Sequence, residues 1–149
     1  MMNIKYISSG DEDFSLVKSI RTEVFTMEQG ADAKGEFDKY DLPESDSLYA
    51  LLFEDNEALA TARLALTDKG YKIGRIAVKK SQRGKGLGEK IVRAVCDKAF
   101  EKGADTVLVD AQNYAVPFYE KFGFEVIGDE IFDRGLPHMP MSLDKNNYK

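Results

Sequence analysis

The hydrophobic positions change their spacing along the chain, and each change predicts a boundary between short strands and helices. Residues 2–7 carry a few apolar side chains and predict an edge strand. Apolar residues then recur at intervals of three and four, which predicts a helix that begins after residues 11–13 and runs to about Thr26. The apolar residues of this helix are Phe14, Val17, Ile20, Val24 and Phe25.

The segment after this helix loses all periodicity. Residues 27–47 contain Gly30, Gly35 and Pro43 among acidic side chains, so we expect a loop or a broken helix on the surface. Loops of this length are uncommon unless they are functional.

Three strands are predicted next. Residues 47–53 are almost continuously apolar, which is typical of a strand covered on both faces. After a turn at residues 54–57, residues 58–66 and 71–78 predict a hairpin closed by residues 67–70, with glycine in the left-handed position.

A long amphipathic helix follows a glycine-rich segment and ends at Gly103, a residue type favoured just after a helix. Its apolar stripe contains Leu87, Ile91, Ala94, Val95, Lys98 and Ala99. Residues 106–110 predict a short buried strand. This strand should run parallel to residues 71–78, because a helix connects the two.

The tail predicts a short helix at residues 117–122 and two strands at residues 124–127 and 139–143, joined by residues 129–138. Pro140 cannot donate a backbone hydrogen bond, so the last strand should be short or lie at an edge. The elements together predict an α+β fold with a mixed central sheet of about six to seven strands and helices on both faces.

Length and composition indicate a single domain over residues 1–149 with one hydrophobic core. No run of 18 or more apolar residues and no apolar leader segment occurs, so we expect a soluble, cytoplasmic protein that does not bind membranes. Cys96 is the only cysteine and His138 the only histidine, which excludes an internal disulfide and leaves a metal site short of ligands.

The charge distribution favours a small phosphorylated ligand. The net charge of −5 argues against nucleic acid as a partner. Residues 79–93 nevertheless contain six basic side chains against Glu89 alone. The basic residues are Lys79, Lys80, Arg83, Lys85, Lys90 and Arg93.

The first chemical motif, Arg83-x-x-Gly86-x-Gly88, lies between a strand and a helix. A helix N-terminus offers free amides and partial positive charge, and glycine lets a phosphate approach them closely. The spacing matches neither the Walker loop nor the dinucleotide-binding fingerprint. A glycine-rich surface turn would explain the same residues without a ligand.

The second motif places Gln112, Ala115, Tyr119 and Gly123-Phe124 after the predicted buried strand. With the first motif, it resembles the GNAT superfamily of acyl-CoA N-acyltransferases and implies the GNAT fold. Gln112 stands where this family more often has asparagine, so either Gln112 or Asn113 would make the amide contact to pantetheine. Taken alone, Tyr119 is more typical of a core aromatic than of an acid, and the two motifs in the right order reverse that preference.

The resemblance implies a coenzyme A site and a catalytic tyrosine. Loop amides would bind the pyrophosphate, and the preceding strand would pair with pantetheine. Tyr119 would lie beside the coenzyme sulfur. The implied coenzyme-binding residues are Ile76, Ala77, Val78, Arg83, Gly84, Lys85, Gly86, Leu87, Gly88, Gln112, Asn113, Ala115, Phe118 and Tyr119.

Both ends of the chain resemble the small bacterial GNAT proteins of the ElaA and YjcF type. This narrower resemblance implies acceptor contacts from Arg21, Glu28, Gln29, Asp38, Asp41 and His138. Residues 28–57 contain ten acidic side chains against two lysines. They would attract a cationic amine, although a solvated loop explains them equally well. Glu28, Asp38, Asp41 and His138 are unranked candidates for the general base.

The predicted function is transfer of an acetyl group from acetyl-CoA to an amine of a small molecule or peptide, without a metal. Transfer should be direct within a ternary complex, because Cys96 lies on a buried stripe and gives no reason for an acyl-enzyme. A non-catalytic acyl-CoA-binding sensor and a partner-binding scaffold are the alternatives. The sequence leaves open the acceptor, the preferred acyl length, and whether the protein is a monomer or a homodimer.

Overall fold

The computed structural model describes residues 1–149 and contains one eight-stranded sheet with helices on both faces. The α+β fold class is confirmed. The helices are α1 (Phe14–Arg21), α2 (Leu87–Glu101) and α3 (Val116–Glu120). The strands are β1 (Met2–Ile7), β2 (Leu48–Glu54), β3 (Glu57–Thr67), β4 (Gly70–Val78), β5 (Thr106–Gln112), β6 (Glu125–Val126), β7 (Ile131–Asp133) and β8 (Leu136–Asp144). None of the helices is long and apolar enough to span a membrane.

The sheet is mixed, with strand order β1-β2-β3-β4-β5-β8-β6 and β7 paired to β8. Strands β1 to β4 are antiparallel to their neighbours, whereas β4 and β5 are parallel, as predicted from the helix between them. β8 is antiparallel to β5, β6 and β7. β1 forms one edge, as its isolated apolar positions predicted.

Strand β2 shows why the core has two layers. Tyr49 and Leu51 pack with α1 on one face, and Ala50 and Leu52 pack with α2 on the other. All four residues are at most 1% exposed. The continuous apolar run therefore belongs to a strand covered on both faces.

The first helix changes geometry before it ends. The α-helical part stops at Arg21, and Thr22–Glu28 continues as a π-helical turn. The Gln29 N–H donates to the Val24 carbonyl oxygen at 3.1 Å, a spacing of five residues. Such turns are frequent at functional sites, and this one carries Glu28 at its end.

The C-terminal strands differ from the prediction in two ways. Residues 129–138 contain β7, and β8 is a nine-residue internal strand, so the expectation drawn from Pro140 is wrong. The Pro140 carbonyl accepts a hydrogen bond from Ile127 at 2.9 Å, so the proline nitrogen faces the same side of β8. On that side β6 pairs only with 141–142 and β7 only with 136–138. Pro140 thus lies where the ladder is already interrupted.

Candidate active site

The central feature of the site is a gap between the two parallel strands. β4 and β5 pair only at Lys72–Leu108 and Ile73–Val109, yet β4 continues to Val78 and β5 to Gln112. The strands therefore diverge and leave backbone groups of β4 without a strand partner on that edge. A cavity of about 750 Å³ crosses the α1 face of the sheet and reaches α3 on the other face through this gap. Its lining includes Asp38, Arg63, Arg75, Ile76, Gln112, Tyr119 and His138.

The end of β4 presents its backbone to the gap at Val78. The Lys79 N–H donates to the Leu59 carbonyl oxygen at 3.0 Å, towards β3. Because alternate residues of a strand point their backbone groups to opposite edges, the Val78 carbonyl faces the gap. It accepts hydrogen bonds from Arg83 Nε at 3.2 Å and Nη2 at 3.0 Å. Ala77, by contrast, is buried under α1.

The glycine loop ends in an uncapped helix. Gly86 has φ 77° and precedes Leu87, the first residue of α2, without any side-chain cap. The first amides of α2 therefore have no intrahelical partner, and such amides are suited to binding an anion. A Cβ on Gly86 would meet no atom within 4 Å, so its conformation, rather than crowding, requires glycine. A Cβ on Gly88 would lie 3.6 Å from Phe118 Cζ, which shows that α3 packs against the first turn of α2.

Arg83 joins the loop to the end of the π-helical turn. Its guanidinium forms two hydrogen bonds with the Glu28 carboxylate, one of them at 2.7 Å from Nη2 to Oε1. The hydrogen bond from Arg83 lowers the pKa of Glu28. The neighbouring Gln29 accepts a hydrogen bond from Gln112 Nε2 at 2.9 Å. The structure thus joins two predicted acceptor residues to two predicted coenzyme residues.

Tyr119 is positioned by aromatic packing. Its ring contacts Phe118 and Phe124 edge-on, with centroids 5.1 and 5.7 Å away, and the residue is 6% exposed. Its hydroxyl has no hydrogen-bond partner in the protein and is not fully enclosed, because the ring borders the cavity. Burial raises the pKa of Tyr119, so the phenol stays protonated and can donate a hydrogen bond into the cavity.

Two neighbours of Tyr119 are less suited to chemistry. Burial raises the pKa of the Cys96 thiol to about 12, which makes it a structural side chain, as expected from its position on the helix stripe. Asn113 donates a hydrogen bond to Glu130 and does not line the cavity. Of the two amides left open by the sequence, Gln112 is therefore the one that lines the cavity.

Arg21 and Asp41 lie behind the cavity wall. Arg21 is fully buried and donates from Nε to Glu36 Oε2 and from Nη1 to Asp41 Oδ1, each at 2.8 Å. Burial alone would raise the pKa of Asp41, but the hydrogen bonds and charge of Arg21 outweigh it and hold that pKa well below its usual value. Neither residue borders the cavity. The hydrogen bonds of Arg21 hold the 27–47 segment against α1.

Two other candidate acceptor residues do border the cavity. Asp38 is held by Arg63, with Nη1 2.8 Å from Oδ1. His138 Nδ1 lies 2.8 Å from the Leu136 carbonyl oxygen. A carbonyl only accepts hydrogen bonds, so Nδ1 carries the proton of the neutral ring and Nε2 keeps its lone pair. Nε2 has no protein partner and is not enclosed, which leaves it available to a ligand.

Sequence reasoning missed four residues that shape this site. Glu36 is 1% exposed and contacts Arg21, Arg75 and Arg134. Arg63, Arg75 and Arg134 border the cavity. Arg63 and Arg75 could have been singled out from the sequence, because each lies inside an apolar strand of the hairpin, where a charged side chain needs a buried partner. Nothing in the pattern distinguished Glu36 from its acidic neighbours.

Comparison with known proteins gives consistent matches along the whole chain. Residues 16–145 match the family described as the acetyltransferase (GNAT) domain. YjcF of Bacillus subtilis, an uncharacterised N-acetyltransferase, is 33% identical over 139 residues, which cover 93% of this chain and 97% of YjcF. An acyl-CoA N-acyltransferase from Pseudomonas aeruginosa superposes with a TM-score of 0.86 at 25% identity, over 96% of this chain and 99% of that one. Escherichia coli ElaA, at 24% identity, has a TM-score of 0.86 over 97% of this chain and 100% of its own, which shows a shared fold.

Proposed function

Since this chain belongs to the GNAT acetyltransferase family, we propose that it transfers an acetyl group from acetyl-CoA directly to an amine within a ternary complex. The resemblance drawn from its two motifs is confirmed, and the chain is an acyl-CoA-dependent acyltransferase in general terms. The acetyl group, the acceptor and the mechanism are the proposal. One observation carries it: the cavity at the gap between β4 and β5 is lined by Tyr119, and the uncapped N-terminus of α2 packs against the adjacent Phe118.

The residues present fit a coenzyme A thioester. The amides at the start of α2 suit the pyrophosphate, and Lys85 and Arg83 add positive charge beside them. The Val78 carbonyl on the open edge of β4 suits an amide of the pantetheine arm, in place of the Arg83 guanidinium that it binds in this structure. Arg83 would then be free to turn towards the phosphates. Gln112 is placed for a second polar contact on the β5 side.

His138 is the best placed of the four candidate bases. Glu28, Asp38 and Asp41 are each bound by an arginine. His138 Nε2 keeps a free lone pair on the cavity wall. An alkylamine is mostly protonated at neutral pH, so a base must remove its proton before nitrogen attacks the thioester carbonyl. In the proposed reaction one proton of the ammonium group passes to His138 Nε2, and the nitrogen then forms the C–N bond. The C–S bond breaks, and the second proton that the nitrogen loses leaves with the coenzyme thiolate.

Tyr119 acts on the leaving sulfur as a hydrogen-bond donor. A phenol is already a weaker acid than a thiol, by about 1.5 pKa units, or about 2 kcal/mol. Burial raises the pKa of Tyr119 further, so complete proton transfer to the thiolate is still less favourable. A hydrogen bond that strengthens as negative charge develops on sulfur lowers the barrier without that transfer.

The proposal is tested by calorimetry with acetyl-CoA beside a thiol-release assay over an amine panel. We expect binding of acetyl-CoA and amine-dependent release of coenzyme A. Binding without turnover of any amine would favour the sensor alternative. Absence of binding by a folded protein would contradict the coenzyme site itself.

A further inference from the structure

Four arginines at one end of the cavity share the same acids, and we call them the arginine cluster: Arg63, Arg75 and Arg134 border the cavity, and Arg21 lies behind its wall. Three acids of the 27–47 segment contact this cluster: Glu36, Asp38 and Asp41. A fourth acid, Asp133, is half-exposed, and its carboxylate is 3.9 Å from Arg75 Nη1, beyond hydrogen-bond distance. The buried part of the cluster therefore has more cations than anions.

Arg75 shows this imbalance most clearly. Its Nε and Nη2 donate to the carbonyl oxygens of Glu36 and Gly35, each at 3.2 Å, whereas Nη1 has no hydrogen-bond partner and is not enclosed. The side chain is only 16% exposed and borders the cavity. Burial and then the charge of Arg63 lower the pKa of Arg75. The nearest carboxylates, Glu36 Oε2 and Asp38 Oδ2, lie 3.5 Å from Nε and Nη2, and both are shared with other arginines of the cluster.

Arg134 reaches the same region, where it forms an ion pair with Glu36. It lies in the two-residue turn between β7 and β8, and its Nε donates to the Asp32 carbonyl oxygen at 2.9 Å. Its Nη2 is buried and has no partner in the protein. Arg75 and Arg134 both have positive φ, 50° and 53°. The two-residue turn accounts for the conformation of Arg134, because such turns favour positive φ at both positions. Arg75 lies inside a strand, where a positive φ is unfavourable and is found preferentially at functional sites.

We propose that the acceptor amine also carries an anionic oxyacid group, a carboxylate or a phosphate, which binds to Arg75 and Arg134. A planar guanidinium matches either group with two parallel hydrogen bonds. Arg75 directly precedes Ile76 in β4, so the anionic group would lie next to the strand segment that faces the coenzyme. This inference rests on the proposed transferase function and specifies its substrate class.

Matched ligands test the inference without any mutation. The coenzyme A-loaded protein is titrated with acetylated products in pairs: N-acetyl amino acids against their neutral amides, and N-acetylethanolamine phosphate against N-acetylethanolamine. We expect the anionic partner to bind about 10- to 100-fold more tightly in at least one series, as for hydrogen bonds to charged groups. The series with the larger difference in affinity shows whether the oxyacid is a carboxylate or a phosphate. Equal affinities in both series, or no binding of any product, overturn the inference.

Two variants locate the anion site. Arg75→Gln should abolish the difference in affinity between anionic and neutral ligands, while thermal melting shows that the protein remains folded. Lys69→Gln, which removes an exposed positive charge from another part of the same cavity wall, should retain it. An affinity difference that survives Arg75→Gln, or that disappears equally in both variants, overturns the assignment to Arg75. Selective binding without turnover of any amine would instead support the anion site and contradict the transferase.

Discussion

Replacing His138 by glutamine tests the proposed base through the pH dependence of the rate. At pH 7 an alkylamine with a pKa near 10.4 is neutral in about one molecule in 2,500, and at pH 9.4 in about one in 11. An enzyme without a base must use the neutral fraction, so its rate gains about 200-fold over this interval. General base catalysis contributes about 10²- to 10⁴-fold. We therefore expect His138→Gln to lower kcat/KM about 10²-fold or more at pH 7, and about 10-fold or less at pH 9.4.

The assay is thiol release under saturating acetyl-CoA, with the amine varied at each pH. Glutamine is similar in length to histidine and keeps a polar tip near Leu136, whose carbonyl binds the imidazole Nδ1 in this structure. Thermal melting and acetyl-CoA affinity serve as controls for folding. A deficit that stays constant between pH 7 and 9.4 would mean that His138 acts through binding or folding. Wild-type kcat/KM at pH 7 would remove it from the reaction.

Three further predictions address the sulfur contact, the glycine loop and the buried ion pairs. Tyr119→Phe should lower kcat about 10²-fold in single-turnover measurements and leave acetyl-CoA affinity unchanged, because the hydrogen bond is made mainly in the transition state; an unchanged rate would show that this phenol is not needed. Gly86→Val should weaken acetyl-CoA binding about 10- to 100-fold by calorimetry, because valine strongly disfavours φ 77° and its side chain would cover the amides. Gly103→Val introduces comparable strain at the far end of α2, where φ is 96°, so equal loss in both variants would refute a local effect. Asp41→Asn should cost about 3 kcal/mol in urea unfolding at pH 7, because Arg21 loses a buried partner. Since the folded pKa of Asp41 lies below its ordinary value of 3.8, the stabilisation is present above that pH and is lost as pH falls further; a difference that did not shrink between pH 7 and pH 3 would contradict the ion pair.

The strand and helix pattern could be predicted wherever one local period dominates. The parallel pairing of β4 and β5 followed from the helix between them, and the glycine predicted to allow a close approach at the loop, Gly86, has a backbone conformation that favours glycine. The change from α to π geometry after Arg21 could not be predicted, because Val24 and Phe25 remain buried and preserve the apolar spacing. β7 was missed because its three residues are all exposed and too few to show alternation.

The candidate site was predictable only where motifs are local. The glycine loop and Tyr119 each belong to a contiguous pattern, whereas Arg21 meets Glu36 and Asp41 across 15 and 20 residues. Such distant pairings depend on how the 27–47 segment folds back on α1, and an aperiodic segment carries no signal for that path. The contact between Glu28 and Arg83, 55 residues apart, was hidden for the same reason.

Direct transfer is tested by incubating the protein with acetyl-CoA and a panel of amines, with and without anionic groups. Released thiol and acetylated product are followed together by mass spectrometry. Direct transfer predicts one N-acetylated amine for each thiol released, with no acetyl group on the protein at any time. Thiol release that is matched by acetylated protein, or tight acetyl-CoA binding with no acetylated amine, would contradict direct transfer at this site.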